Sequence, residues 1–210
     1  MYSRMQSVPF LLGLTGNIAC GKSTVGQVLA EQYGAEYLDA DRLVHALYAA
    51  GTPETCAIAA GFGEDLLHAD GTIDRRRLGD LVMSNDEALR ELERILDPGV
   101  RRAIAERLAE TTAAVVVLDA IRLIESGLAA QCDAVWVVVC DRSLQVDRLR
   151  SARNLSPEQA ALRIAAQRPV EDKLRHATAV ITNNTTLDDL KTQIAAAWQA
   201  TASPFGRGLG

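Results

Sequence analysis

Residues 10 to 24 read Phe10-Leu11-Leu12-Gly13-Leu14-Thr15-Gly16-Asn17-Ile18-Ala19-Cys20-Gly21-Lys22-Ser23-Thr24, and their order decides the fold. An apolar run closed at once by glycine is a buried strand entering a tight loop. From Lys22 to Tyr33, with Val25, Val28 and Leu29 apolar and Gly34 in the stop position, the pattern is a helix. Between them, Gly16 to Ser23 satisfies G-x-x-x-x-G-K-[ST] at every fixed position. In this context the glycines let consecutive backbone N–H groups turn inward around phosphates, and the dipole of the following helix adds positive potential. On this reading Gly16, Asn17, Ile18, Ala19, Cys20, Gly21, Lys22, Ser23 and Thr24 hold the phosphates of a nucleotide. Lys22 reaches the β- and γ-phosphates as the catalytic cation, and the Ser23 hydroxyl ligates Mg²⁺. The bland alternative, a glycine turn that merely lets strand and helix pack, leaves Lys22-Ser23 in register without a reason. Cys20 falls inside the loop, and its thiol is expected to be exposed there, so that alkylation blocks nucleotide binding.

Working outward, Glu36-Tyr37-Leu38-Asp39 is a second short strand, and Asp41 to Ala50 a second helix ended by Gly51. Residues at strand C-terminal ends line the ligand crevice of an open α/β sheet. A carboxylate of Asp39-Ala40-Asp41 is therefore placed to accept a proton from an acceptor hydroxyl as it attacks the γ-phosphate. Simple N-cap roles for the same aspartates are the alternative. Asp119 closes the apolar run Val115-Val116-Val117-Leu118 and is a second candidate Mg²⁺ ligand, or a turn residue. An N-K-x-D guanine-reading motif is absent.

Val115 to Asp119 and Val135-Trp136-Val137-Val138-Val139 are continuous β-branched runs without polar alternation, as in parallel strands covered on both faces. A further strand, Ala179-Val180-Ile181, precedes a closing helix from Leu187 to Ala200. Strands alternating with helices predict a doubly wound parallel five-stranded α/β sheet. The middle of the chain is helical, Arg-rich and without a convincing strand. Asn85 caps a helix carrying Leu89, Leu92, Ile95 and Leu96, and Asp97-Pro98 looks like a new N-cap with proline at the first helical position, restarting the helix. Ser156-Pro157-Glu158-Gln159 combines a capping box with proline at the first helical position. The expected division is a nucleotide-binding core at 1–50, 110–145 and 176–203, a helical acceptor domain at 51–109, a lid at 146–175 and a flexible tail at 204–210.

Composition narrows the function. The chain has 210 residues, 48% hydrophobic and 23% charged, with Gly 15 and Pro 6, which fits a folded globular chain and not a low-complexity one. Its net charge of −5 opposes a dedicated nucleic-acid binder. No apolar run approaches the roughly 20 residues of a membrane span. Cys20, Cys56, Cys132 and Cys140 lack metal-ligand or disulfide-framework spacing, so reduced thiols in the cytoplasm are expected. Arginines gather at Arg75 to Arg77 and from Arg148 to Arg175, where polyphosphates would sit. The second group reads as a lid that closes over ATP and excludes water.

From Phe10 to Trp198 the chain resembles the dephospho-coenzyme A kinase family. Leu14-Thr15-Gly16-Asn17-Ile18-Ala19-Cys20-Gly21-Lys22-Ser23-Thr24 is similar to its opening L-T-G-x-I-x-x-G-K-S-T, and Asp39-Ala40-Asp41 to its D-A-D. Gly51-Thr52-Pro53 with Phe62-Gly63, Asp70-Gly71-Thr72-Ile73-Asp74-Arg75-Arg76-Arg77-Leu78, Arg163-Ile164-Ala165-Ala166-Gln167 and Val180-Ile181-Thr182-Asn183 continue the likeness. The resemblance implies a nucleotide core, a helical coenzyme A domain and a lid. The implied reaction moves the γ-phosphoryl of ATP to the ribose 3′-hydroxyl of dephospho-coenzyme A, with Mg²⁺, giving coenzyme A and ADP. It makes Asp41 the base, puts Asp39, Asp41, Phe62, Arg75 and Arg122 at the acceptor, and Asn183 near adenine. A small-molecule acceptor and a monomer or weak homo-oligomer are expected. Three departures stand out: Leu96-Asp97-Pro98 for L-H-P, Ile121-Arg122-Leu123-Ile124-Glu125 for P-L-L-x-E, and a shifted R-L-x-x-R that leaves the lid arginine between Arg150 and Arg153. Asp97 and Arg122 keep a paralogous kinase for another nucleotide or nucleoside-like hydroxyl open, and an ATP-dependent switch without transfer is the reading from another class.

Overall fold

The computed structural model describes residues 8–83, 85–153 and 155–202. The tail reading at 204–210 lies outside them. The fold divides into two compact units, the first formed by the described residues up to Leu38 and from Thr111 onward, the second by Asp39–Glu110.

The first unit carries the sheet. Strands β1 (Phe10–Thr15), β2 (Glu36–Asp39), β3 (Val115–Asp119), β4 (Ala134–Val139) and β5 (Ala179–Thr182) lie in the order β2-β3-β1-β4-β5. β1 pairs in parallel with both β3 and β4, and β4 in parallel with β5. All five residues of β3 are buried. That is why β3 and β4 read as unbroken β-branched runs: both faces are covered and no position needs to meet water.

On one face Leu12, Leu14, Val115, Val117, Trp136 and Val138 share a core with helices α1 (Lys22–Tyr33) and α9 (Leu187–Ala202), which contribute Val25, Leu29, Leu190, Ile194 and Trp198. Each such aliphatic side chain contributes about 1.5–3 kcal/mol on burial. Trp136 satisfies its indole N–H on Thr201 Oγ1 at 3.1 Å, and the Tyr33 and Trp198 rings sit 4.7 Å apart. On the other face Gly13 admits the segment after β3, because a β-carbon there would stand 2.6 Å from Leu123 Cδ2 and 2.8 Å from Cys132 Sγ. After β4 come α6 (Arg142–Arg153), α7 (Pro157–Ala165) and the short α8 (Val170–Leu174). The capping box expected at Ser156 is present: its side chain accepts from Gln159 N, and the Gln159 side chain accepts from Ser156 N.

The second unit is helical: α2 (Ala40–Leu47), α3 (Pro53–Phe62), α4 (Arg75–Met83) and α5 (Asp86–Glu110). α2, α3 and α4 all pack on α5, so α2 is counted with this unit. Asn85 caps α5 as expected, accepting from Glu87 N and Ala88 N at 2.9 and 3.1 Å. The helix restart at Asp97-Pro98 is not what forms. α5 runs unbroken for 25 residues with Pro98 inside it. Proline costs an interior hydrogen bond, and here packing of Leu92, Leu96, Val100 and Ile104 along the buried face of α5 offsets that loss. Gly99 beside it is needed, since a β-carbon would collide with Glu54 Oε1. Asp97 is thus no N-cap but pairs along the helix with Arg101 Nε at 2.7 Å. Among the described residues no helix is long and apolar enough to cross a membrane.

Candidate nucleotide site

The loop from Gly16 to Gly21 leaves the C-terminal end of β1 and opens α1, and its backbone uses positive φ at Gly16 (150°), Ala19 (59°) and Gly21 (97°). Glycine at the first and last of these is dictated by space as well as by φ. A β-carbon on Gly16 would meet the carbonyl oxygen of Val138, and one on Gly21 the side-chain amide of Asn183. Ala19, a β-carbon-bearing residue in the left-handed region, carries modest strain that the surroundings must hold.

Those surroundings grip the loop through its carbonyls and one amide. Gln145 Nε2 donates to Ile18 O at 2.8 Å, while Ile18 N donates to Gln167 Oε1 at 2.7 Å, so the two peptide groups flanking Ile18 are each held by a glutamine. The guanidinium of Arg148 donates to Ala19 O (3.3 Å), Cys20 O (3.4 Å) and Asn183 O (3.0 Å). Asn183, 8% exposed, donates its side-chain N–H to Cys20 O at 2.9 Å. Asn17 Nδ2 reaches Arg168 O at 3.3 Å. Ile18 and Ala19 also pack on a small cluster of Leu149, Ala160 and Ile164 from α6 and α7. With Ile18 N taken by Gln167 and Cys20 N directed to Asn17 O at 3.4 Å, it is the remaining amides of the turn that can face an anion inside it, the carbonyl oxygens being turned outward onto these donors.

Lys22, at the first position of α1, is 8% exposed and has no carboxylate within ion-pair distance among the described residues. A buried ammonium needs a counter-charge, and phosphate supplies one. Ser23 follows in the exposed first turn of α1, and Thr24 is half-buried behind it. Asp119 ends β3 directly opposite Leu14 of β1, is 6% exposed, and accepts from the Tyr37 hydroxyl at 2.6 Å. A hydroxyl and a carboxylate are hard oxygen donors of the kind Mg²⁺ takes, with phosphate and water filling the remaining positions. No cluster of three or more His, Cys, Asp or Glu able to hold a metal by itself occurs among the described residues.

The expectation for Cys20 is overturned. Its side chain is 1% exposed, packed under the loop, and its pKa is pushed up to about 11, chiefly by burial, against the opposing pull of Lys22. The thiol faces inward because Gly16 leaves a hole that its sulfur fills. Of the lid arginines, Arg150 is exposed on α6 and its charge lowers the pKa of Glu158 after that residue's hydrogen bonds; the Arg153 side chain lies outside the described residues.

The segment after β3 is tied to α8. Lys173, 2% exposed, donates to Ile121 O at 2.6 Å and to Glu125 Oε1 at 2.7 Å, and Ile121 O also accepts from Thr15 Oγ1 at 3.2 Å. Burial raises the Glu125 pKa, but the Lys173 hydrogen bond, its charge and that of Arg122 together hold it below the ordinary glutamate value. Arg122 is exposed on this segment.

In the second unit Asp39 Oδ1 accepts from Asp41 N (2.9 Å) and Arg42 N (3.4 Å), so Asp39 is the N-cap of α2 and leaves the carboxylate of Asp41 exposed in its first turn. Arg75 opens α4 near the half-buried Tyr48, whose pKa is raised by burial and drawn back by that charge. Phe62 ends α3 before Gly63 at φ 114°. Gln145 and Lys173 carried no motif, Arg148 stood only at the head of the shifted R-L-x-x-R stretch, and Gln167 only at the end of R-I-x-x-Q; the loop contacts of Gln145, Arg148 and Gln167 come from more than a hundred residues away.

A phosphate-binding loop with Lys and Ser in register, at the carboxyl end of the middle strand of this parallel sheet, defines a P-loop kinase fold. Residues 10–189 match the family model for dephospho-CoA kinase. A dephospho-CoA kinase of Geobacter metallireducens is 42% identical over 192 residues, covering 90% of this chain and 95% of its own. The structure of a dephospho-CoA kinase from Campylobacter jejuni superposes with a TM-score of 0.65 at 28% identity, covering 92% of this chain and 98% of that one. A shikimate kinase from Acinetobacter baumannii, at 20% identity and a TM-score of 0.57 over 96% and 97% of the two chains, shares the fold. The chain belongs to the dephospho-CoA kinase family.

Proposed function

We propose that the chain transfers the γ-phosphoryl group of ATP to the ribose 3′-hydroxyl of dephospho-coenzyme A, completing coenzyme A synthesis. The family match across residues 10–189 carries the reading, and the braced loop with a buried Lys22 that meets no carboxylate among the described residues supports it chemically. The loop amides and Lys22 bind the β- and γ-phosphates and stabilise charge as the terminal bond breaks. Ser23 and Asp119 would hold Mg²⁺, which when bound neutralises phosphate charge and fixes the phosphate oxygens in place. Asp41, left exposed by the Asp39 cap, takes the proton from the 3′-hydroxyl as its oxygen bonds to phosphorus and ADP departs with the electron pair of the broken bond. Arg75, Phe62 and Arg122 are assigned to the acceptor, and Arg150 and Arg153 to the triphosphate. Four free cysteines suit a reduced, cytoplasmic setting, and the chain is taken as a monomer or weak homo-oligomer.

The test is ADP release with dephospho-coenzyme A against a panel of nucleoside monophosphates. Turnover is expected with dephospho-coenzyme A alone, and turnover only with another acceptor would replace the substrate. Asp41→Asn is expected to keep ATP affinity while kcat falls by about 10²–10⁴. Unchanged kcat would remove Asp41 from the role of base.

A further inference from the structure

A cleft of about 360 Å³ in the first unit is lined by Ile124 and Glu125 from the segment after β3 and by Arg168, Asp172, Lys173, Arg175 and His176 from around α8. Its charges are not equivalent. The Lys173 ammonium is consumed by Glu125 at 2.7 Å, and Arg175 by Asp172. Arg168 differs: it is exposed, and among the described residues its guanidinium has no carboxylate within ion-pair distance. Its own backbone carbonyl is held by Asn17 Nδ2, and its neighbour Gln167 is bonded to Ile18 N. The backbone of Arg168 and the side chain of Gln167 are thus tied to the phosphate loop, and the Arg168 guanidinium lines the cleft beside it without a carboxylate partner among the described residues.

Resting on the function proposed above, we propose that Arg168 is a specificity-determining residue that binds the diphosphate of the acceptor. Dephospho-coenzyme A carries that diphosphate on the 5′-carbon of the ribose whose 3′-hydroxyl is phosphorylated, so an acceptor presented to the γ-phosphoryl brings a second anion close to the loop. ATP phosphates already meet the loop amides and Lys22. A guanidinium is the group that grips phosphate oxygens in pairs, and His176 on the same cleft adds a second donor.

Calorimetric titration of dephospho-coenzyme A and of ATP into the full chain, with ADP release measured in parallel, tests this. Arg168→Ala is expected to weaken dephospho-coenzyme A binding about tenfold and ATP binding less than about twofold, with Arg168→Lys recovering part of the loss. Unchanged affinity for dephospho-coenzyme A, or equal losses for both ligands, overturns the assignment. The two readings separate cleanly. Weakened binding in Arg168→Ala with no ADP release by the wild type sinks the proposed reaction and keeps the anchor, whereas normal ADP release with unchanged affinity does the reverse.

Discussion

The side-chain amide of Asn183 occupies the space that a β-carbon on Gly21 would need, while donating to the carbonyl of Cys20 immediately before it. The last strand of the sheet thus reaches the phosphate loop through one residue, and the loop's final glycine exists partly to admit it.

Gly21→Ala is expected to lose both ways. At φ 97° a β-carbon costs about 1–2 kcal/mol, and relief of the clash breaks the Asn183 hydrogen bond. Thermal melting should show the destabilisation, and ATP titration an affinity loss greater than about tenfold.

Arg148 holds three carbonyls at once. Arg148→Met should raise the KM for ATP about tenfold with little change for the acceptor, since it loosens the loop without touching the cleft near Arg168. Arg148→Lys should recover little, because a single ammonium cannot span donors directed at three oxygens. Steady-state kinetics with each substrate varied separately decides this.

Lys173→Met leaves the Glu125 carboxylate buried with neither oxygen paired, as Oε2 already has no partner. A loss of about 3–5 kcal/mol in denaturant unfolding is expected, with much of it restored in the double variant Lys173→Met, Glu125→Leu. Because the folded pKa of Glu125 lies below its ordinary value, the pair's contribution is complete above about pH 4.3 and fades as pH falls through the lower folded value. Unfolding curves of wild type and double variant across the acid range should converge.

Cys20, with its pKa near 11, is about one part in a thousand thiolate at pH 8. Iodoacetamide should modify the exposed Cys56 first and leave Cys20 unlabelled in the folded chain, with or without ATP. Peptide mass spectrometry reads this directly, and rapid labelling of Cys20 would contradict its burial.

Much of the fold was legible because its signals are local. β1, the glycine loop and α1 follow from one uninterrupted stretch, Phe10 to Tyr33; Ser156 and Asn85 cap their helices through neighbours two or three positions away. Pro98 was misread for the same reason. Locally Asp97-Pro98 resembles a helix start, and only the apolar face that α5 buries against α2, α3 and α4 shows why the helix continues.

The amino-acid sequence alone carried the phosphate-loop motif from Gly16 to Ser23 and the parallel, doubly covered strands that flank it, because backbone curvature and strand burial are written in neighbouring residues. Only the tertiary structure decided which side chains brace that loop and that Cys20 is buried beneath it. Gln145, Arg148, Gln167 and Asn183 meet the loop from more than a hundred residues away, and a hydrogen bond between distant segments leaves no period or spacing behind in the chain.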